Sequence, residues 1–231
     1  MREKMLLRGL VIGLGVAIAL TAALPRAFAS AARDEDFGAW NLYEAEVKWR
    51  DAWKFRLGEE TRFREAGGLH YFETRAGAHH QTRPWLALGS EYVQIRSARF
   101  SRNKNIWTWE SRPRIYATPS YKLKGWLFED RSMMEFRFKQ KAENTMRYRN
   151  QFGLTAPWQW TSWKFQPYTT NELFIETNRN GLVEDRWISG FRFQPAKHLK
   201  CSIYYLRQSQ KNNGGGWKDS NILGTSIRVA F

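Results

Sequence analysis

The 231-residue chain has one cysteine, Cys201, so neither an internal disulfide framework nor a thiolate zinc cluster can organise it. Histidine is scarce, with only His70, His79, His80 and His198. Acidic residues are in deficit, 22 Asp and Glu against 37 Lys and Arg, which leaves a formal net charge of +15. Beyond residue 37 no helical period of 3.6 residues lasts more than two turns, and no apolar run is long enough to cross a bilayer as a helix. Rings are what the chain has in abundance: 12 Trp, 15 Phe and 9 Tyr beside a mean hydropathy of −0.62. Soluble cores are built mostly from Leu, Ile and Val, with aromatics a minority. This much ring surface also excludes a disordered chain, which lacks the large apolar groups that make burial worth its entropy cost.

The first residues read as an export signal. Arg2, Lys4 and Arg8 precede the uncharged, mostly apolar run from Gly9 to Leu24, and Ala27-Phe28-Ala29 follows as an A-x-A cleavage site. A retained anchor is the alternative, but the run is short for a hydrocarbon core of about 30 Å. The expected domains are therefore a signal peptide at 1–29, cut after Ala29, and one folded domain at 30–231. Losing Arg2, Lys4, Arg8, Arg26 and Glu3 lowers the charge from +15 to +12, so the exported protein stays basic. Cys201 is far from the cut, which argues against a lipoprotein signal.

From Trp40 onward the period is two. Met134, Phe136 and Phe138 alternate with Glu135, Arg137 and Lys139; Met146, Tyr148, Phe152 and Leu154 lie opposite Arg147, Arg149, Gln151 and Gly153. Each is a strand with one apolar and one polar or ionic face. Division at turn-like residues gives about twelve strands: 39–49, 52–64, 68–78, 84–95, 105–117, 120–129, 132–140, 144–155, 161–176, 184–194, 198–208 and 220–231. That leaves about 17 residues for each strand and its connection, which suits tilted membrane-crossing strands of about 9–11 residues. In this register 79–83, 177–183 and 208–219 are outer connections, and 65–67, 97–104 and 130–131 are inner ones. Pro113 and Pro167 belong at bulges or strand ends, because proline donates nothing to a ladder.

Alternation fits two classes. In a soluble periplasmic sandwich the charged face meets water; in an outer-membrane barrel the apolar face meets lipid and the charged face lines the lumen. Three features favour the barrel. The last strand ends with Leu223, Thr225, Ile227, Val229 and Phe231 on one face, and a terminal Phe on such a strand suits the signal that the outer-membrane assembly machinery reads. Trp40, Trp49, Trp85, Trp107, Trp126, Trp163, Trp187 and Tyr205 stand near segment ends, as in the aromatic girdles at membrane interfaces. The export signal supplies the route. The expected fold is an all-β transmembrane antiparallel barrel in the cell outer membrane.

Glu110-Ser111-Arg112-Pro113, Arg131 to Phe138, Arg147-Tyr148-Arg149-Asn150-Gln151 and Asn171-Glu172-Leu173-Phe174 carry a resemblance. From about Trp40 to Phe231 the chain resembles a family of uncharacterised Gram-negative outer-membrane barrels catalogued as a domain of unknown function. The resemblance implies a β-barrel and no established activity.

The inward face is expected to carry Arg56, Arg62, Arg112, Arg114, Lys124, Arg137, Arg147, Arg149, Arg186, Arg192 and Arg228 as an anion path, with Glu44, Glu46, Glu60, Glu110, Glu135 and Glu172 as counter-charges. Such a porin-like lumen concentrates small anionic solutes through its field. The bland alternative is a narrow interior packed with Arg–Glu pairs that conducts nothing. A lipid-acting barrel enzyme needs a Ser near a His at the lipid interface, and the nearest pair, His198 and Ser202, is about 13 Å apart in extended chain. The reading therefore leans away from an enzyme and assigns no catalytic residue, cofactor or metal. Adjacent His79 and His80 point opposite ways in a strand, and Cys201 reads as a small residue on the apolar face. Basic stretches such as Arg99 to Lys104 suit membrane lipid and lipopolysaccharide phosphates. The export signal argues against a nucleic-acid partner.

Overall fold

A computed structural model describes residues 37–64, 68–101, 104–179, 181–212 and 214–231. The expected signal peptide and its cleavage site lie outside the described residues. Eleven strands run in chain order: β1 (Phe37–Trp49), β2 (Trp53–Arg64), β3 (Gly68–Arg83), β4 (Leu86–Ser101), β5 (Lys104–Leu123), β6 (Trp126–Lys139), β7 (Thr145–Thr155), β8 (Gln166–Glu176), β9 (Gly181–Ala196), β10 (Leu199–Lys211) and β11 (Trp217–Ala230). Every consecutive pair is antiparallel, and β1 closes on β11 to make one barrel. Closure leaves no exposed sheet edge. A soluble sandwich, which needs a second covering sheet, is not the fold.

The closure is parallel. Phe37 lies opposite Asn221 and Glu46 opposite Ala230, a consequence of an odd strand number. Phe231 extends the seam: its amide donates to the Glu46 carbonyl at 2.9 Å, and its carbonyl accepts the Lys48 amide at 3.1 Å. β1 therefore begins at one end of the barrel and β11 finishes at the other. We call these the Phe37 end and the Phe231 end.

The difference between eleven strands and about twelve arises between residues 118 and 131. Thr118-Pro119-Ser120 and Asp130-Arg131 read as turns, yet β5 runs unbroken for 20 residues and β6 for 14. The turn is Lys124-Gly125, with φ of 48° and 85°, the paired positive values of a tight hairpin turn. The β5–β6 pairing passes from Ser111 opposite Phe138 to Arg114 opposite Glu135, and from Ala117 opposite Ser132 to Ser120 opposite Glu129. The ladder thus opens beside Pro113 and again beside Pro119, so the prolines interrupt pairing without ending the strand. Pro167 sits one residue into β8.

One strand fewer reverses the ends of everything downstream. The connection near 79–83 is at the Phe231 end, whereas those near 177–183 and 208–219 are at the Phe37 end with the β2–β3 and β4–β5 connections. The single side expected for 79–83, 177–183 and 208–219 is corrected accordingly, and 130–131 is no turn.

The barrel is apolar outside and charged inside. Ten of the 12 Trp are exposed, together with Phe55, Ile115, Phe138, Phe152 and Ile203. Seven Trp, at positions 49, 53, 85, 126, 158, 160 and 163, lie at the Phe231 end. The ten-residue β7–β8 connection, pinned by Trp160 paired with Phe165, contributes to this belt through Trp163, stacked near Phe165 and Phe193. Trp40 is the exception. It faces the lumen, 8% exposed, packed with Leu206 and Ile222, with the Arg62 guanidinium 3.7 Å above its ring.

Candidate functional site

The inward positions of β1 to β11 bring the charged residues into one lumen, and cross-strand register decides who meets whom. Glu135 on β6, 0% exposed, is the hub: Arg114 Nε donates to it at 2.7 Å, Arg147 Nη2 approaches to 2.6 Å, Arg149 Nη1 donates at 3.2 Å, and Arg112 Nη1 stands 3.7 Å away. Glu172 accepts from Arg149 at 2.7 Å and from Arg131 at 3.2 Å. Glu110 accepts from Arg112 at 2.8 Å and Arg137 at 2.6 Å, and Arg137 also pairs with Glu176. Nearer β1, Glu60 takes Arg62 and Arg75, Glu46 takes Arg56 at 2.6 Å, and Glu44 takes Arg228 at 2.6 Å. Charges buried this deeply persist only when each has a partner, because desolvation costs several kcal/mol per ion.

The expected lumen arginines and counter-charges are therefore inward, with one correction. Lys124 occupies the β5–β6 turn at positive φ and is exposed at the rim, because β5 ends at Leu123, inside the stretch 120–129 that reads as one strand. Glu73, Arg75, Glu91, Arg131, Glu176 and Glu184 also enter the lumen network or line its cavities, and the sequence reading missed them in that role. A signal for three of them was present. Glu-x-Arg recurs at 60/62, 73/75, 110/112, 135/137 and 184/186, a spacing that puts both charges on one strand face. Four of the five pairs close on themselves, at 2.5–2.8 Å. Arg131 reads as part of a turn in the sequence.

The lumen holds two cavities. A cavity of about 690 Å³ opens at the Phe37 end and one of about 660 Å³ at the Phe231 end. Arg56, Glu91, Arg131, Gln151 and Arg228 line both and so stand where the two meet; we call them the septum residues. Each septum arginine has a carboxylate partner: Glu46, Glu172 and Glu44 respectively.

The two cavities differ in how their charge is neutralised. At the Phe37 end the lining cations interleave with Glu44, Glu60, Glu73, Glu172, Glu176 and Glu184. The Phe231-end cavity has seven cations, Lys54, Arg56, Arg131, Lys164, Arg192, Lys200 and Arg228, against only Glu91 and Glu129. Among the described residues no ion pair reaches Lys54, Lys164 or Lys200. Arg192 is held by the Thr155 hydroxyl at 3.0 Å and by the Tyr168 ring, with Glu129 no nearer than 3.8 Å.

The histidines lie apart. His79 turns inward, its Nδ1 2.7 Å from the Tyr116 hydroxyl, whereas His80 contacts Trp53, with ring centroids 4.6 Å apart. His198 Nδ1 bonds the Ala230 carbonyl at 2.7 Å, and Ser202 bonds Ser226 at 2.7 Å, so the one Ser and His considered together have separate partners. Among the described residues no group of three or more His, Cys, Asp and Glu side chains comes together as a metal site.

No curated protein matches the chain. The model of a family described as "Protein of unknown function (DUF2490)" matches residues 37–219, from the first residue of β1 into β11, and the chain belongs to that family.

Proposed function

We propose that the protein is an outer-membrane β-barrel whose basic lumen binds small anionic solutes. One observation carries the reading: the barrel is inside out, with ten of its 12 Trp exposed on the outside and a charged, Arg-rich network within. A wall of exposed rings suits lipid, and Trp concentrated at one end suits a membrane interface. Outer-membrane lipid and lipopolysaccharide are then its surroundings, and the barrel assembly machinery its route of insertion. Excess positive charge around a confined space raises the local concentration of anions. The pairing of the septum arginines favours binding over free passage, because passage requires their Arg–carboxylate contacts to exchange for contacts with the solute.

The test is to refold the protein into detergent and confirm its barrel by heat-modifiable migration. Calorimetric binding of phosphate, sulfate and small organic anions then follows, together with cell fractionation. The reading expects outer-membrane recovery and binding of anions but not of cations of equal size. Recovery in the soluble fraction, or indifference to the sign of the solute's charge, contradicts it.

A further inference from the structure

The proposal above assigns anions to the lumen without saying where they sit. We infer that the site is the Phe231-end cavity, and that it takes a ligand carrying several clustered negative charges, a pyrophosphate or a bis-phosphate ester, held by Lys54, Lys164, Arg192 and Lys200. The inference rests on the lumen being an anion site at all.

Three observations converge. First, the four cations come from four separate elements: β2, the β7–β8 connection, β9 and β10. They share one cavity of about 660 Å³, within the range of small-ligand sites of about 300–1,000 Å³. Second, their charge is less closely matched than that of the rest of the lumen. Elsewhere nearly every inward arginine has a carboxylate within about 3 Å. Here three lysines have no ion-pair partner among the described residues, and Arg192 has only a distant one. Converging like charges repel, and a ligand with several negative charges removes that repulsion at once, where a single charge removes only part of it. Third, three of the four are lysines, compact point charges that meet a phosphate oxygen from many directions, whereas the paired interior uses arginine, whose planar fork matches a carboxylate.

The Thr155 hydroxyl and the Tyr168 ring hold Arg192 in position without spending its charge. The connection that supplies Lys164 is itself two-sided: Lys164 and Gln159 line the cavity while Trp158, Trp160 and Trp163 are exposed on the outer side. The cavity mouth therefore lies beside the densest part of the aromatic belt. This leaves two sources for the same phosphate chemistry, a free solute or the headgroup of an adjacent lipid.

The experiment is calorimetric titration of inorganic pyrophosphate into the refolded protein in an uncharged detergent, at low and at moderate salt. The variants are Lys54→Gln/Lys164→Gln/Lys200→Gln combined, Arg192→Gln alone, and Arg64→Gln in the other cavity. The three lysines are exposed, so the combined variant should fold, and heat-modifiable migration checks it. The inference expects at least a tenfold loss of affinity in the triple variant, a smaller loss for Arg192→Gln, flatter salt dependence in both, and no change for Arg64→Gln. Phosphatidic acid in mixed micelles is the second arm. Displacement of pyrophosphate by it identifies a lipid headgroup as the source, and no displacement identifies a free phosphate; either agrees with the site. Wild-type affinity in the triple variant, or loss through Arg64→Gln, overturns this site and leaves an anion-binding lumen standing. If the wild-type protein binds neither pyrophosphate nor any other anion, the lumen reading falls with it.

Discussion

The two ends of the lumen are built from similar residue types and use them differently. Around Glu135, Arg114, Arg147 and Arg149 are each matched to a carboxylate on a neighbouring strand, and towards the Phe37 end Arg62 and Arg186 are matched to one on their own strand, so these charges act as packing material. At the Phe231 end the lysines face an open cavity whose carboxylates are Glu91 and Glu129, neither in an ion pair with them. Positive charge by itself therefore does not mark a binding site; what distinguishes the second cavity is charge that the fold leaves without an internal partner.

The largest expected effect separates these roles. Glu135→Gln removes the hub carboxylate and leaves Arg112, Arg114, Arg147 and Arg149 close together with too little negative charge. A cost of about 3–5 kcal/mol is expected, as when one partner of a buried pair is lost. Urea unfolding followed by heat-modifiable migration measures it, and a loss under about 1 kcal/mol would mean that the network is not holding the barrel.

A second, smaller effect concerns packing on the inner wall. Gly224 on β11 gives room for the Tyr204 ring, since a Cβ there would lie 2.0 Å from ring carbons. Gly224→Ala should cost about 1–3 kcal/mol, the range for overpacking. Adding Tyr204→Leu should recover part of it, and a double-mutant cycle with no coupling would refute the contact.

At the rim, Trp163→Ala removes the ring stacked near Phe165 and Phe193, at centroid distances of 6.4 and 6.3 Å. About 0.5–1.5 kcal/mol is expected from the lost aromatic pairs, read as a lower unfolding midpoint in detergent. The smallest effect belongs to the open cavity: Lys200→Gln should change stability by no more than about 0.5 kcal/mol, because no internal partner is lost. A stability loss like that of Glu135→Gln would erase the contrast between the two ends.

Much of this was legible in the sequence because a strand's period of two is a local property. The faces of β6 and β7 follow directly from Met134 to Lys139 and Met146 to Leu154. Local reading failed where a proline imitated a turn, at Pro119, and again at Asp130-Arg131; together these added one strand and reversed the ends of every later connection. It also placed Trp40 in an outer girdle, although the register sets it opposite Arg62 and Gly224 on the inner wall. The difference between paired and unpaired cations could not be read in advance. Arg114 meets Glu135 across 21 residues and Arg131 meets Glu172 across 41, so partners are known only once register and closure are fixed.

Planar-bilayer recording of the refolded protein under a salt gradient tests most directly whether the septum residues close the lumen. The account predicts that the wild-type barrel passes no steady ohmic current, because Arg56, Glu91, Arg131, Gln151 and Arg228 stand where the two cavities meet, with each arginine held by a carboxylate. It predicts that a folded Arg56→Ala/Arg131→Ala/Arg228→Ala variant opens discrete steps, since the septum side chains are then shortened. Steady, open-pore conductance from the wild-type protein, unchanged in the septum variant, would contradict it.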